Sequence, residues 1–284
     1  MPIYEQTYRP WEGALEPNPR TWWVIARTGI QLLMRKGMVV FLFFAYIPFF
    51  IRAGIVFIIV RYGDKLEIIQ KFKGLKIDAD FYFNSLSDFW ARVFVIFICI
   101  FVGAGLIAND KQFKALSLYF SKPVGFWDYI IGKFLVIGFF VSLITLVPGL
   151  LLFLMRVLMA MDSVYLQNYF WIPLSLVGYV IVELLVLGGL ILVVSAIFKS
   201  TRFAAVFFLC LIVFPELIQT ILSKIPIIGL TSFLVNIKQF GAVFFGIERP
   251  YGFAPLWAFM VMAAIVALCI FLLKRHVKPT EVIR

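Results

Sequence analysis

The sequence predicts an all-α, polytopic membrane protein with six crossing helices, and three observations carry that prediction. Of its 284 residues, 63% are hydrophobic and 14% charged, whereas soluble domains carry roughly a quarter charged residues; too little polar surface is present to cover a core in water. Six apolar runs reach or approach the ~20 residues that a helix needs to cross roughly 30 Å of hydrocarbon. The basic residues behind a net charge of +11 flank these runs instead of forming one patch. That arrangement suits anionic lipid headgroups and argues against a nucleic-acid partner.

Residues 1 to 36 form a basic N-terminal region with no short charged stretch, apolar core and small-residue cleavage site in succession, so no cleaved signal peptide is indicated. Within it Trp22, Ile25 or Ala26, Gly29 or Ile30, and Leu33 recur at helical spacing, while Arg27, Gln31 and Arg35 recur on the other face. An amphipathic connecting helix at the membrane interface accounts for this pattern, as does a plain basic flank. The membrane domain, residues 37 to 273, then holds the six runs: Gly37 to Val60, Ala91 to Ala108, Phe134 to Met159, Trp171 to Phe198, Phe203 to Leu222 and Gly252 to Leu273. Between the fifth and sixth, Ile225 to Ile237 is uncharged but only 13 residues long and is punctuated by Pro226 and Gly229. This is compatible with a re-entrant hairpin buried against protein. Residues 274 to 284 form a basic tail.

Lysine and arginine counts set the direction. Fifteen of 26 fall on the side of the two termini, in residues 1 to 36, 108 to 133, 199 to 202 and 274 to 284, and eight fall opposite. Both termini are therefore expected in the cytoplasm.

The loop after the second run contains Asn109 to Pro123. Asn109 or Asp110 is expected to cap a helix whose Phe113, Leu116 and Phe120 share a face, with Lys111, Lys114 and Ser121 nearer the other side and Pro123 as its stop. Its apolar side needs a surface to pack on, either its own bundle or a partner subunit.

Catalytic chemistry is poorly supplied. His276 is the one histidine, and Cys99, Cys210 and Cys269 lie in apolar runs without paired-ligand spacing, so neither a metal centre nor a disulfide framework is expected. Gly125 to Lys133 has six residues between its glycines where a phosphate-binding loop has four, and Phe134 stands where Ser or Thr should hold magnesium. No cofactor is expected on this chain.

Three phrases then come together: Gly103-Ala104-Gly105-Leu106-Ile107-Ala108-Asn109-Asp110, Ala115-Leu116-Ser117-Leu118-Tyr119-Phe120-Ser121-Lys122-Pro123, and Asp128-Tyr129-Ile130-Ile131-Gly132-Lys133. Together they resemble the permease subunits of the ABC-2 family of ATP-binding-cassette transporters. The chain departs from that pattern at Lys122, where arginine is commoner, and at Gly125 and Phe126, where a small polar and a basic residue are common. The resemblance implies a pair of permease subunits, from a second copy or a paralogue, bound to two ABC ATPase subunits that carry ATP and magnesium. It implies that Asp110, Lys111, Phe113, Lys114, Leu116, Tyr119, Phe120, Lys122, Pro123, Asp128, Tyr129 and Lys133 transmit force from ATPase to spans. An exporter in the inner membrane of a prokaryote is the function it suggests; the alternative is an anchoring subunit of an ATPase-powered envelope assembly complex.

Five charges fall inside the runs, with Arg92 at the edge of the second. Glu183 lies near the middle of the fourth, where a lone carboxylate must take a proton or find a partner. Arg52, Arg156 and Glu216 lie toward the face opposite the termini, and depth favours pairing of Arg52 or Arg156 with Glu216 over Glu183. Structural ion pairs and residues of a translocation path are both compatible with these positions.

Overall fold

A computed structural model describes residues 20–34, 36–62, 77–120, 124–160, 163–222 and 224–277. Among the described residues every regular element is helical. Six helices are long and apolar enough to cross a membrane: Gly37–Tyr62, Phe89–Gln112, Phe126–Met159, Val164–Ile197, Thr201–Ile221 and Pro255–His276, numbered here as spans one to six. All six expected runs are found. Span three begins eight residues earlier than expected, and span four seven. The early start of span three carries Asp128 and Lys133 into the helix, where protein groups satisfy both.

The spans differ in how much protein covers them. In span four 67% of the apolar window is buried and in spans two and three 50%, against 11%, 17% and 22% in spans one, five and six. Spans two, three and four are thus the packed centre, and the other three present most of their surface outward. Each central span has a local irregularity. Spans two and four contain π-helical turns at Cys99–Gly103 and Leu184–Gly188. Span three breaks at Thr145, where the Pro148 ring would meet the carbonyl of residue 144 and has no N–H to offer it.

Ahead of span one, the leading helix Thr21–Leu33 packs along the first half of span three. Its expected apolar stripe faces that span: Ala26 is fully buried and Ile25 nearly so. Two glycines allow the approach. A Cβ on Gly132 would lie 2.8 Å from Ile25 Cβ and 2.9 Å from the Trp22 carbonyl oxygen, and one on Gly29 would lie 2.7 Å from Val136. Trp23, Val24 and Leu32 stay exposed on its flank.

Between spans five and six, Pro226–Thr231 forms a 3₁₀ turn and Phe233–Phe244 a 12-residue helix, too short to cross a bilayer. The helix runs seven residues past the expected segment. Ser232 caps it by accepting the Val235 N–H at 3.3 Å. Gln239, fully buried, donates to the Tyr251 and Phe253 carbonyls and accepts the Tyr251 N–H at 3.0 Å, clamping the link into span six.

Candidate functional site

The phrases at 103–133 converge where span two ends and span three begins. A Cβ on Gly103 would lie 2.7 Å from Ile191, so spans two and four touch closely there. Beyond Gly103 the span two helix opens into a turn at 104–107 and resumes as Ala108–Gln112. Ser195 of span four fills the gap: its fully buried Oγ accepts the Ile107 and Ala108 N–H groups at 3.0 Å each and donates to the Ala104 carbonyl at 2.9 Å. The expected caps, Asn109 and Asp110, lie inside the short helix instead. A hydroxyl distant in sequence already holds the donors at its start, so the two side chains are free for tertiary contacts.

Asn109 accepts the Thr201 hydroxyl at 2.7 Å, and Lys111 donates to the Ala196 carbonyl. Both bonds tie the end of span two to the link between spans four and five. Asp110 turns toward span three. Its Oδ2 accepts the Tyr129 hydroxyl at 2.7 Å and pairs with the Lys133 ammonium at 2.7 Å. That ammonium also lies 5.6 Å and 5.4 Å from the ring centres of Tyr119 and Tyr129, which meet edge to face. Burial, and then the Asp110 charge, push the Tyr119 phenol above its ordinary range. It stays an uncharged ring against the cation, as a cation–π contact needs.

The loop helix differs from the expectation. Lys114 has φ +55°, a left-handed backbone uncommon in residues other than glycine. It divides the expected continuous helix into Ala108–Gln112 and Ala115–Phe120. Phe113 and Leu116 therefore do not share a face: Phe113 is 74% exposed, whereas Leu116 is 7% exposed and belongs to the main core. Asp128 accepts the Gly125 N–H at 3.3 Å at the start of span three. Lys122, Pro123 and the side chain of Phe120 lie outside the described residues. Buried Tyr129 and Lys133 and half-buried Asp110 and Tyr119 thus form one cluster, while Phe113 and Lys114 mark the tip beside it. Ser195 and Thr201 complete the corner and were not singled out from the sequence, and Asn109, expected there as a cap, bonds Thr201 instead.

The intramembrane charges pair differently from the expectation. Arg52 pairs with Asp88. Glu216 meets Arg92 at 3.6 Å and accepts the Ser232 hydroxyl, and Arg92 also donates to the Ser87 carbonyl at 2.7 Å. Arg156 stacks 4.3 Å from the Tyr165 ring centre, and its Nε has no hydrogen-bond partner among the described residues. Depth along a span says nothing of which neighbour faces it, and Arg92, at the start of span two, is the cation that reaches span five. Glu183 is 2% exposed, and its Oε2 has no partner among the described residues.

A family model described as ABC-2 family transporter protein matches residues 23–274. The match runs from the third residue of the leading helix to within two residues of the end of span six. Comparison with curated proteins gives no match.

Proposed function

The chain belongs to the ABC-2 family of transporter proteins, a family of multi-pass membrane subunits that partner ABC ATPases, and we propose that it is the permease of an ATP-driven exporter. In this reading it sits in the inner membrane of a prokaryote with both termini and the corner at 108–133 in the cytoplasm. Two permease chains, from a second copy or a paralogue, associate with two ATPase subunits, and ATP and magnesium bind to those ATPases. The leading helix lies at the cytoplasmic interface, and Phe233–Phe244 enters the opposite leaflet without crossing it.

The observation that carries the reading is the corner itself. An exposed Phe113 stands at a left-handed turn directly beyond a buried, hydrogen-bonded ion pair. A large aromatic knob suits a cleft in a partner, since aromatic anchors dominate interface energetics. The Asp110–Lys133 pair and the Ser195 contacts supply the stiffness that passes a push at the knob into spans two, three and four. Motion then reaches the outward-facing spans through the central three.

Replacing Phe113 by Asp tests this. The side chain is largely exposed, so the variant should insert and accumulate normally while losing most of its co-purifying ATPase. Wild-type recovery of the ATPase would remove the corner from the partner surface. Direction across the membrane is tested by single cysteines at Lys114 and Lys224, in a background without the three native ones. They should react with an impermeant reagent from opposite faces of sealed cells, and equal access to both would refute the topology.

A further inference from the structure

Beside the corner lies a cavity of about 440 Å³ between the leading helix and spans two, three and five, within the range of small-molecule sites. Its lining is graded along span two. Phe101 and Val102 stand at one end and Asn109 and Asp110 at the other, on either side of the turn at 104–107. The cavity is thus apolar toward the middle of span two and polar at the corner. Leu32 and Phe101, both more than half exposed, leave its side open toward lipid.

The polar end is built from side chains that keep unused donors. Lys133 spends one N–H on Asp110, and an ammonium has three. Thr201 donates to the Asn109 carbonyl oxygen, which leaves the Asn109 amide nitrogen as a donor. A Cβ on Gly105 would lie 2.9 Å from that nitrogen, so the glycine keeps the space open. Asp110 binds Tyr129 and Lys133 through the same oxygen, Oδ2.

We propose that this cavity binds a phosphate-headed membrane lipid, its phosphate on Lys133 and Asn109 and one acyl chain along the wall from Leu106 to Phe101. Phosphate accepts from both donors, and the second Asp110 oxygen accepts an amine carried on the same head. The lateral opening admits the chain directly from the leaflet beside the leading helix. The site goes beyond the transport reading, and its test measures lipid contact in the permease alone, so either can fail without the other.

The test uses the full chain in nanodiscs doped with a diazirine-bearing phosphatidylethanolamine, with cross-links mapped by mass spectrometry. Residues 97–112 should be labelled above the outward-facing residues of span one. Labelling there should fall about tenfold, the equivalent of about 1.4 kcal/mol in affinity, when Leu32→Trp narrows the mouth. A diazirine diacylglycerol, which lacks the phosphate, should label about tenfold less. Lys133→Gln and Asn109→Leu, the second of which leaves the Asp110–Lys133 pair in place, should each bring the two probes together, and a ratio left at its wild-type value in Asn109→Leu would overturn the phosphate contact. Labelling equal to that of span one, or equal for both probes, would mean annular lipid only and overturn the site. Loss of labelling on adding inorganic phosphate would identify a free-anion site and overturn the lipid assignment.

Discussion

The two ends of the bundle hold their charges differently. At the corner, Lys133 and Asp110 meet at 2.7 Å with side chains 10% and 16% exposed, and Tyr129 donates to the same carboxylate oxygen. At the far end, Arg92 and Glu216 meet at 3.6 Å with side chains 15% and 30% exposed, and Ser232 shares the carboxylate. The corner pair joins spans two and three, both in the packed centre. The far pair joins span two to span five, which is mostly uncovered. A tight pair between packed spans transmits displacement; a looser pair onto an uncovered span permits it. The corner is therefore the stiff end of the molecule and the far end the compliant one.

The largest expected effect breaks the stiff end. Lys133→Met leaves the Asp110 carboxylate buried without its cation, a change that costs about 3–5 kcal/mol in comparable pairs, and should lower the thermal midpoint in detergent sharply. Arg92→Met should cost about 1 kcal/mol, because Glu216 keeps Ser232 and some solvent. Equal losses in the two variants would erase the distinction between the ends. Leu116→Asp sharpens the comparison from the packing side. A carboxylate placed in that core position costs several kcal/mol, so membrane-inserted protein should fall markedly, whereas Phe113→Asp should leave the thermal midpoint within about 0.5 kcal/mol of wild type.

Glu183 supplies the contrast within the membrane. Glu183, 2% exposed, is more buried than the corner pair, and one of its carboxylate oxygens has no partner among the described residues. Glu183→Gln removes any need to bury charge and should keep or raise the thermal midpoint, while Glu183→Lys should abolish accumulation. A Gln variant destabilised as much as Lys133→Met would show that Glu183 is paired as an ion. The smallest effect is expected at Arg52→Gln. Its partner Asp88 is half exposed, so the loss should stay below about 1 kcal/mol.

The sequence disclosed what depends on local pattern. Apolar run length located six spans, and the three- to four-residue recurrence from Trp22 to Leu33 identified the face of the leading helix that packs on span three. It did not disclose what depends on distant neighbours. Span three starts at Phe126 because Lys133 finds Asp110 across the corner, a partner that no hydropathy window contains. The cap on Ala108–Gln112 comes from Ser195, 87 residues farther along the chain than Ala108. Leu116 and Phe113 separate because Lys114 adopts a left-handed backbone, and lysine gives no warning of that, whereas glycine or asparagine would. Arg92 finds Glu216 because spans two and five lie side by side, which their depths alone do not reveal.

The claim that the corner meets the ATPase is tested most directly by a photoreactive p-benzoylphenylalanine in place of Phe113, in cells that express the whole transporter. The aromatic replacement preserves the knob. Irradiation should join the permease to its ATPase subunit through position 113, and the same residue at Trp257, exposed at the far end of span six, should give no ATPase adduct. An ATPase adduct from position 257 with none from 113 would contradict the assignment of the corner as the site of coupling.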